Sequence, residues 1–127
     1  MRYCDYSIHA LAVDPHNPRV LYAGAYEGDL FKSADGGETW MDITRRLSDK
    51  ATVVDIVVDS TTPDTVYLLC DRLGVLVSGD GGARWQLLGK PADVDYPMLT
   101  AVAIGPGPQP VVVVGIREEG GWRYAGE

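Results

Sequence analysis

Short runs of apolar and β-branched residues recur along the chain, and turns rich in Pro, Gly, Asp and Asn separate them. Ile8–Val13 and Val54–Val58 each end before an aspartate that opens a proline-bearing turn. Runs of this length between such turns are typical of β-strands. No segment repeats apolar residues at helical spacing over three turns, so the pattern predicts an all-β chain.

The same pattern gives the positions of the individual strands. The predicted strands are Ile8–Val13, Val20–Ala25, Asp29–Ser33, Thr39–Ile43, Val54–Val58, Val66–Cys70, Gly74–Ser78, Arg84–Leu88, Thr100–Ile104, Pro110–Gly115 and Gly121–Tyr124. They fall into two groups of four and one group of three, because longer connections separate the groups.

The chain contains an internal repeat of 45 residues. Residues 8–44 align without a gap on residues 53–89, with nine identical pairs, and a weaker third copy begins near Leu99. Four strands in about 45 residues is the size of a β-propeller blade, whereas sandwiches lack a fixed period. We therefore predict four-stranded antiparallel blades within one partial propeller domain over residues 1–127. The blades lie at about 8–44 and 53–89, with an incomplete one at about 99–127.

Composition excludes several classes of function. Lys and Arg number 11 and Asp and Glu 18, a net charge of −7, whereas nucleic-acid partners require clustered basic residues. No apolar run is long enough to span a bilayer, so we expect no membrane partner. No signal peptide is visible behind Arg2, which predicts a cytoplasmic protein, or a secreted one if a longer precursor contains this chain. Cys4 and Cys70 exclude a disulfide framework, and we expect two free thiols.

One eight-residue motif, Ser33–Trp40, is more specific than the strand pattern. It reads S-A-D-G-G-E-T-W, and Ser78–Trp85 repeats it with Arg84 in place of the threonine. The motif resembles the Asp-box, S-x-D-x-G-x-T-W, of the BNR family of β-propellers. That family includes sialidases, sortilin-type receptor domains, xyloglucan-cleaving glycosidases and photosystem assembly factors. The resemblance covers essentially the whole chain and implies about two and three-quarter blades of a propeller with six to eight.

The motif has a structural explanation that needs no catalysis. A short carboxylate such as Asp35 can accept backbone N–H groups that a tight turn leaves unpaired, and Gly36 and Gly37 supply positive φ angles. Trp40 is expected to lie across the hairpin and bury its ring against a neighbouring blade. The resemblance places this turn away from the ligand-binding side. The predicted structural residues are Ser33, Asp35, Gly37, Trp40, Ser78, Asp80, Gly82 and Trp85.

The connecting loops carry the candidate functional residues. In a propeller the first strand of each blade lines the central channel, and the loops after second strands and between blades lie on one side. Glycosidic hydrolysis requires two carboxyl groups, and the weak catalytic candidates are Asp55, near the start of a channel-lining strand, and Asp95. Simple solvation of polar loops is the alternative explanation. The candidate ligand-side residues are Tyr26, Glu27, Asp71, Arg72, Tyr96 and Arg117.

Other chemistries find little support. The loop at Gly79–Gly82 lacks the lysine and hydroxyl residue of a phosphate-binding loop. His9, His16 and the two cysteines show no metal-ligand spacing, so we expect neither a metal nor a cofactor.

The pattern as a whole favours a noncatalytic Asp-box module that binds a protein or a carbohydrate through its loops. The alternative is a fragment of a xyloglucanase-like or sialidase-like glycoside hydrolase. An open stack of blades leaves apolar sheet surfaces uncovered, so we expect the chain to pair with a copy of itself or to belong to a longer propeller. In a pair, Arg2–Tyr6 of one copy could add the fourth strand to its partner's last blade.

Overall fold

A computed structural model describes most of the chain. It covers residues 8–25, 28–44, 52–71, 73–89, 99–104, 111–116 and 120–125. Within these ranges the strands form three antiparallel sheets, each with its strands in chain order. None of these ranges holds a helix with the length and apolar character required to cross a bilayer.

We call the three sheets blade 1, blade 2 and blade 3. Blade 1 contains β1 (Ile8–Val13), β2 (Leu21–Ala25), β3 (Leu30–Ser33) and β4 (Met41–Asp42). Blade 2 contains β5 (Val53–Val58), β6 (Val66–Cys70), β7 (Gly74–Ser78) and β8 (Gln86–Gly89). Blade 3 contains β9 (Leu99–Ile104), β10 (Val111–Ile116) and β11 (Gly120–Ala125).

The fourth strand of blade 1 is shorter than the predicted Thr39–Ile43. Thr39 and Trp40 belong to the preceding turn, because the Thr39 N–H donates to Asp35 Oδ1 (2.9 Å) and the Trp40 indole N–H donates to the Gly37 carbonyl (2.9 Å). The two-residue strand β4 therefore begins only after the tryptophan. In blade 2, β8 likewise begins after the tryptophan, so the prediction placed both of these strand starts too early.

The blades pack face to face and enclose two apolar cores. β6 shows why its sequence, Val-Tyr-Leu-Leu-Cys, is apolar throughout: all five residues are buried. Leu68 faces the core between blades 1 and 2, whereas Leu69 faces the core between blades 2 and 3. Because successive side chains of a strand point to opposite sides, a strand with a blade on each side has no solvent-exposed face.

The first strands of the blades lie next to one another, since β1 contacts β5 and β5 contacts β9. The register of each first strand is irregular near its start. The irregularity lies between Ile8 and Ala10 in β1 and between Val53 and Asp55 in β5, and in β9 it lies opposite Gly115 and Ile116 of β10. A β-bulge bends a strand and redirects its side chains. In blade 2 the bulge precedes Asp55, the sequence-predicted carboxylate of this strand.

Polar contacts also join blades 1 and 2. Lys32 Nζ donates to the Gly81 carbonyl (2.7 Å) and lies 5.5 Å from the centre of the Tyr22 ring. His16 Nε2 lies 3.2 Å from the Asp59 carbonyl oxygen. Burial, reinforced by nearby aspartates, raises the pKa of Tyr22 to about 12, which keeps this phenol neutral. None of these contacts was predicted from the sequence.

Candidate functional site

The two motif turns, Ser33–Trp40 and Ser78–Trp85, share the hydrogen bonds of their serines, whereas only the first has a bond from a threonine hydroxyl to its aspartate. Ser33 Oγ accepts the N–H groups of Gly37 (2.9 Å) and Asp35 (3.3 Å) and donates to Asp35 Oδ1 (2.8 Å). Ser78 makes the corresponding three bonds at 2.9, 3.4 and 2.8 Å. The sequence argument assigned the unpaired N–H groups to the aspartate, but the serine hydroxyl satisfies two of them. Each turn therefore depends on a serine and an aspartate together.

The glycines of these turns have the backbone conformation that the sequence predicts. Gly36 and Gly37 have φ angles of 75° and 96°, and Gly81 and Gly82 have 72° and 91°, which confirms the predicted positive φ. Trp85 packs against the core between blades 1 and 2 and donates its indole N–H to its own turn. The structural roles assigned to the motif residues stay a prediction, and so does the packing of Trp40, which is half-buried, against a neighbouring blade.

The environment of the motif carboxylates disfavours general-acid catalysis. The Thr39 hydroxyl and N–H, with Ser33, hold the pKa of Asp35 down at about 2. The Arg84 N–H and the Ser78 hydroxyl also lower the pKa of Asp80. A general acid requires a raised pKa to remain protonated near neutral pH, so both groups have the opposite property.

We expect these low pKa values to appear as acid sensitivity of the fold. A carboxyl group whose pKa falls on folding stabilises the protein above its unfolded pKa of about 4, and that stabilisation is lost as the pH falls towards about 2. Asp35→Asn should therefore be less stable than wild type at pH 7, and the difference should shrink between about pH 4 and pH 2. Urea unfolding followed by tryptophan fluorescence at several pH values measures this difference. A difference that grows on acidification would contradict the prediction, and Asp80→Asn should show the same direction.

Asp55 connects blade 2 to blade 3. Its Oδ1 accepts the Ile56 N–H (2.9 Å), and its Oδ2 accepts the Val102 N–H (3.2 Å) of β9. The repeat places Ala10 at the matching position of blade 1, so Asp55 is a departure from the repeat pattern. Both carboxylate oxygens thus have backbone partners. The predicted catalytic role of Asp55 stays a prediction.

Asp71 differs because part of its carboxylate is buried without a partner. Its N–H donates to the Thr52 carbonyl (2.9 Å) at the start of β5, but Oδ1 is inaccessible to solvent and accepts no hydrogen bond from the residues that the structure describes. A buried acceptor without a partner is costly, and in native proteins it often marks a functional position. Asp71 belongs to the predicted ligand-side group, although no sequence pattern indicates this unpaired oxygen.

The register places Asp55 and Asp71 at the same end of blade 2. Asp55 pairs with Leu69, whose side chain faces the core towards blade 3, and Asp71 lies two residues beyond Leu69. Asp55 falls on the side towards blade 3, and Asp71 follows Cys70 in the turn where β6 leads into β7. This end of blade 2 is the candidate functional site.

The other predicted loop residues lie outside the described ranges. They are Tyr26, Glu27, Arg72, Asp95, Tyr96 and Arg117, and their grouping with Asp71 stays a prediction. Among the described residues, no three metal-ligating side chains are grouped closely enough to hold an ion. His9 lies exposed on β1 and His16 in the turn after it. Cys70 is a buried free thiol, as expected, and Cys4 is outside the described residues.

A separate open groove of about 490 Å³ lies at the opposite end of β7 from Asp71. Its lining residues are Val77, Gly79, Asp80, Arg84, Trp85 and Gln86. The sequence analysis treated this turn as structural and did not predict a groove beside it. The site at Asp71 and this groove are therefore separated by the length of a strand.

No protein-family model matches the chain. It is 32% identical over 114 residues to the probable oligoxyloglucan-reducing end-specific xyloglucanase of Neosartorya fischeri, covering 82% of the chain and 14% of that protein. It is 29% identical over 123 residues to the oligoxyloglucan-reducing end-specific xyloglucanase of Emericella nidulans, covering 90% of the chain and 15% of that protein. The chain thus spans about one-seventh of the length of these curated relatives.

Solved structures show the same fold. An ancestral GH74 enzyme matches with a TM-score of 0.71 and 24% identity, over 88% of this chain and 17% of the other. The GH74 xyloglucanase of Xanthomonas campestris matches with a TM-score of 0.66 and 20% identity, over 91% and 20%. YCF48 from Cyanidioschyzon merolae matches with a TM-score of 0.62 and 17% identity, over 94% and 37%. The three sheets are therefore β-propeller blades, which confirms the predicted fold class. The chain as a whole is a partial, propeller-like fragment.

Proposed function

We propose that the chain forms part of a β-propeller glycoside hydrolase of the xyloglucanase type. The observation that carries this proposal is the sequence similarity to two xyloglucanases, which extends over 82% and 90% of the chain. This choice favours the hydrolase alternative over the noncatalytic module that the sequence pattern favoured.

Within this proposal, Asp71 is the carboxyl group that acts on the sugar. Glycosidic hydrolysis uses one carboxyl group as an acid and a second as a base or nucleophile. Oδ1 of Asp71 is inaccessible to solvent and has no partner among the described residues, so we assign the contact with a sugar hydroxyl or a glycosidic oxygen to the other carboxylate oxygen, Oδ2. Asp55 has both oxygens engaged by backbone N–H groups and instead holds blade 3 beside this site.

We also propose that the two motif turns are Asp-boxes of the BNR type. Each contains the Ser-Asp-Gly-Gly-Trp set with matching hydrogen bonds, in a chain whose sheets have the propeller arrangement. Their role in the enzyme is to fix the connection between the third and fourth strands of each blade.

Asp71→Asn tests the catalytic part of the proposal. The 127-residue chain is incubated with xyloglucan oligosaccharides, and newly formed reducing ends are measured. We expect hydrolysis by wild type and a loss of about 10²-fold or more in the variant, since removal of a positioned acid or base has this size of effect. Glu38→Gln, an exposed change within a motif turn, is the control and should retain activity.

Two results would contradict this proposal. Asp71→Asn could retain full activity, or a folded wild-type chain could release no reducing ends. The second result would favour a noncatalytic module that binds a protein or a carbohydrate. The specific observation behind that candidate is a structure described as YCF48 bound to D1 peptide, which resembles this chain with a TM-score of 0.62 and 14% identity. Binding of soluble xyloglucan oligosaccharides, measured by calorimetry, separates a carbohydrate ligand from a peptide ligand.

A further inference from the structure

One side of blade 1 exposes apolar side chains that the repeat normally buries. Leu11 and Val13 of β1 are 66% and 52% exposed, whereas the repeat-matched residues Ile56 and Val58 of β5 are only 4% and 9% exposed. Ile56 and Val58 are buried because blade 1 lies against them. We call the side of a blade that carries these positions its rear face. The rear face of blade 1 therefore carries apolar residues typical of a contact between blades, but no blade covers its first strand.

Blade 3 exposes the complementary surface. In each blade one residue of the second strand pairs with a matching residue of the first strand. These pairs are Tyr22 with Ala12 in blade 1, Tyr67 with Val57 in blade 2 and Val113 with Ala103 in blade 3. We call the side that carries these positions the front face. The next blade covers both tyrosines, which are 1% and 5% exposed, but Val113 is 45% exposed.

The chain itself shows which surfaces fit together. The front face of blade 1 packs on the rear face of blade 2, and the front face of blade 2 packs on the rear face of blade 3. The uncovered rear and front faces thus belong to a contact that occurs twice within the chain. They lie at opposite ends of the stack, and joining them directly would close a ring of only three blades. Propellers contain about four to eight blades.

We propose that a second copy of this chain covers both faces. The rear face of blade 1 of each copy packs on the front face of blade 3 of the other, through β1 of blade 1 and through β9 and β10 of blade 3, because Ala23 of β2 is already buried. Phe31, farther out on blade 1, is already buried and takes no part. Two such head-to-tail contacts close a ring of six sheets, within the range that propellers adopt. This assembly goes beyond the proposed function and does not depend on it.

Sedimentation equilibrium of the 127-residue chain tests the pairing. We expect a mass of twice 13.7 kDa that stays constant as the concentration rises, because the ring is closed. Val13→Asp and Val113→Asp should each give the mass of one chain, since each places a charge in both contacts. Leu87→Asp is the matched control: Leu87 is 52% exposed on β8, away from both faces, and its substitution should leave the pair intact. Circular dichroism confirms that each variant is folded.

Mixing the two dissociated variants distinguishes head-to-tail pairing from other arrangements. A mixed pair contains one contact between two altered faces and one contact between two unaltered faces, so mixing should restore a substantial fraction of the doubled mass. A wild-type chain with the mass of one copy would overturn the proposal. So would a Val113→Asp variant that still pairs, or a mass that keeps growing with concentration. None of these results bears on the Asp71 assay, because hydrolysis is measured separately.

Discussion

Replacement of Leu68 by alanine should lower the free energy of unfolding by about 3 kcal/mol, within a usual range of about 2–5 kcal/mol for such substitutions. Leu68 is fully buried in the core between blades 1 and 2. Its truncation removes apolar contacts and leaves a cavity that two sheets fixed by their own hydrogen bonds cannot easily close. Since whole domains are stable by only about 5–15 kcal/mol, this single change is a large part of the total.

Urea unfolding followed by tryptophan fluorescence measures this loss as a lower midpoint with an unchanged slope. Leu87→Ala is the control, because Leu87 is exposed and its truncation should change the stability by less than about 0.5 kcal/mol. Equal effects of the two substitutions would mean that the contact between blades 1 and 2 contributes little to stability.

Gly24→Ala should destabilise the chain by about 1–3 kcal/mol, although it adds only one methyl group. A Cβ atom at Gly24 would lie 2.6 Å from the Val53 Cβ, which is too close for two carbon atoms. Gly24 lies on β2 of blade 1 and Val53 on β5 of blade 2, so the two blades would have to separate. The φ angle of Gly24 is not in the positive range, so its backbone conformation does not require glycine. The close contact between the two blades is what requires it.

Gly79→Ala is the matched control for this prediction. Nothing lies within 4 Å of a Cβ at Gly79, so alanine there should be neutral or stabilising by up to about 1 kcal/mol. The double variant Gly24→Ala/Val53→Gly should be more stable than the sum of the two single effects predicts, because glycine at position 53 lacks the Cβ atom that the added methyl group would meet. Additive effects in this cycle would refute the steric explanation.

The hydrolase proposal and the pairing proposal rest on different parts of the molecule. Asp71 lies where β6 leads into β7, at one end of blade 2. The uncovered faces lie at the two ends of the stack. A variant that prevents pairing can therefore be assayed for hydrolysis, and the Asp71 variant can be tested for pairing.

The sequence by itself determined the strands, their grouping and the geometry of the motif turns. These features are local: β-strand periodicity and turn residues act over a few positions, and the hydrogen bonds of Ser33 and Ser78 reach at most four residues along the chain. The 45-residue repeat then predicted blades, because similar sequences form similar sheets. The candidate carboxylates could also be chosen, since the repeat placed them at strand starts and in loops.

Only the tertiary structure decided what those carboxylates contact and which surfaces remain uncovered. The partner of Asp55 is Val102, 47 residues away, and the unpaired oxygen of Asp71 depends on how the chain ends of β5 and β6 meet. Leu68 and Leu69 are adjacent and equally apolar, yet they enter different cores. Such contacts form between blades, so their geometry depends on the stacking of whole sheets and cannot be read from the local pattern that builds each sheet.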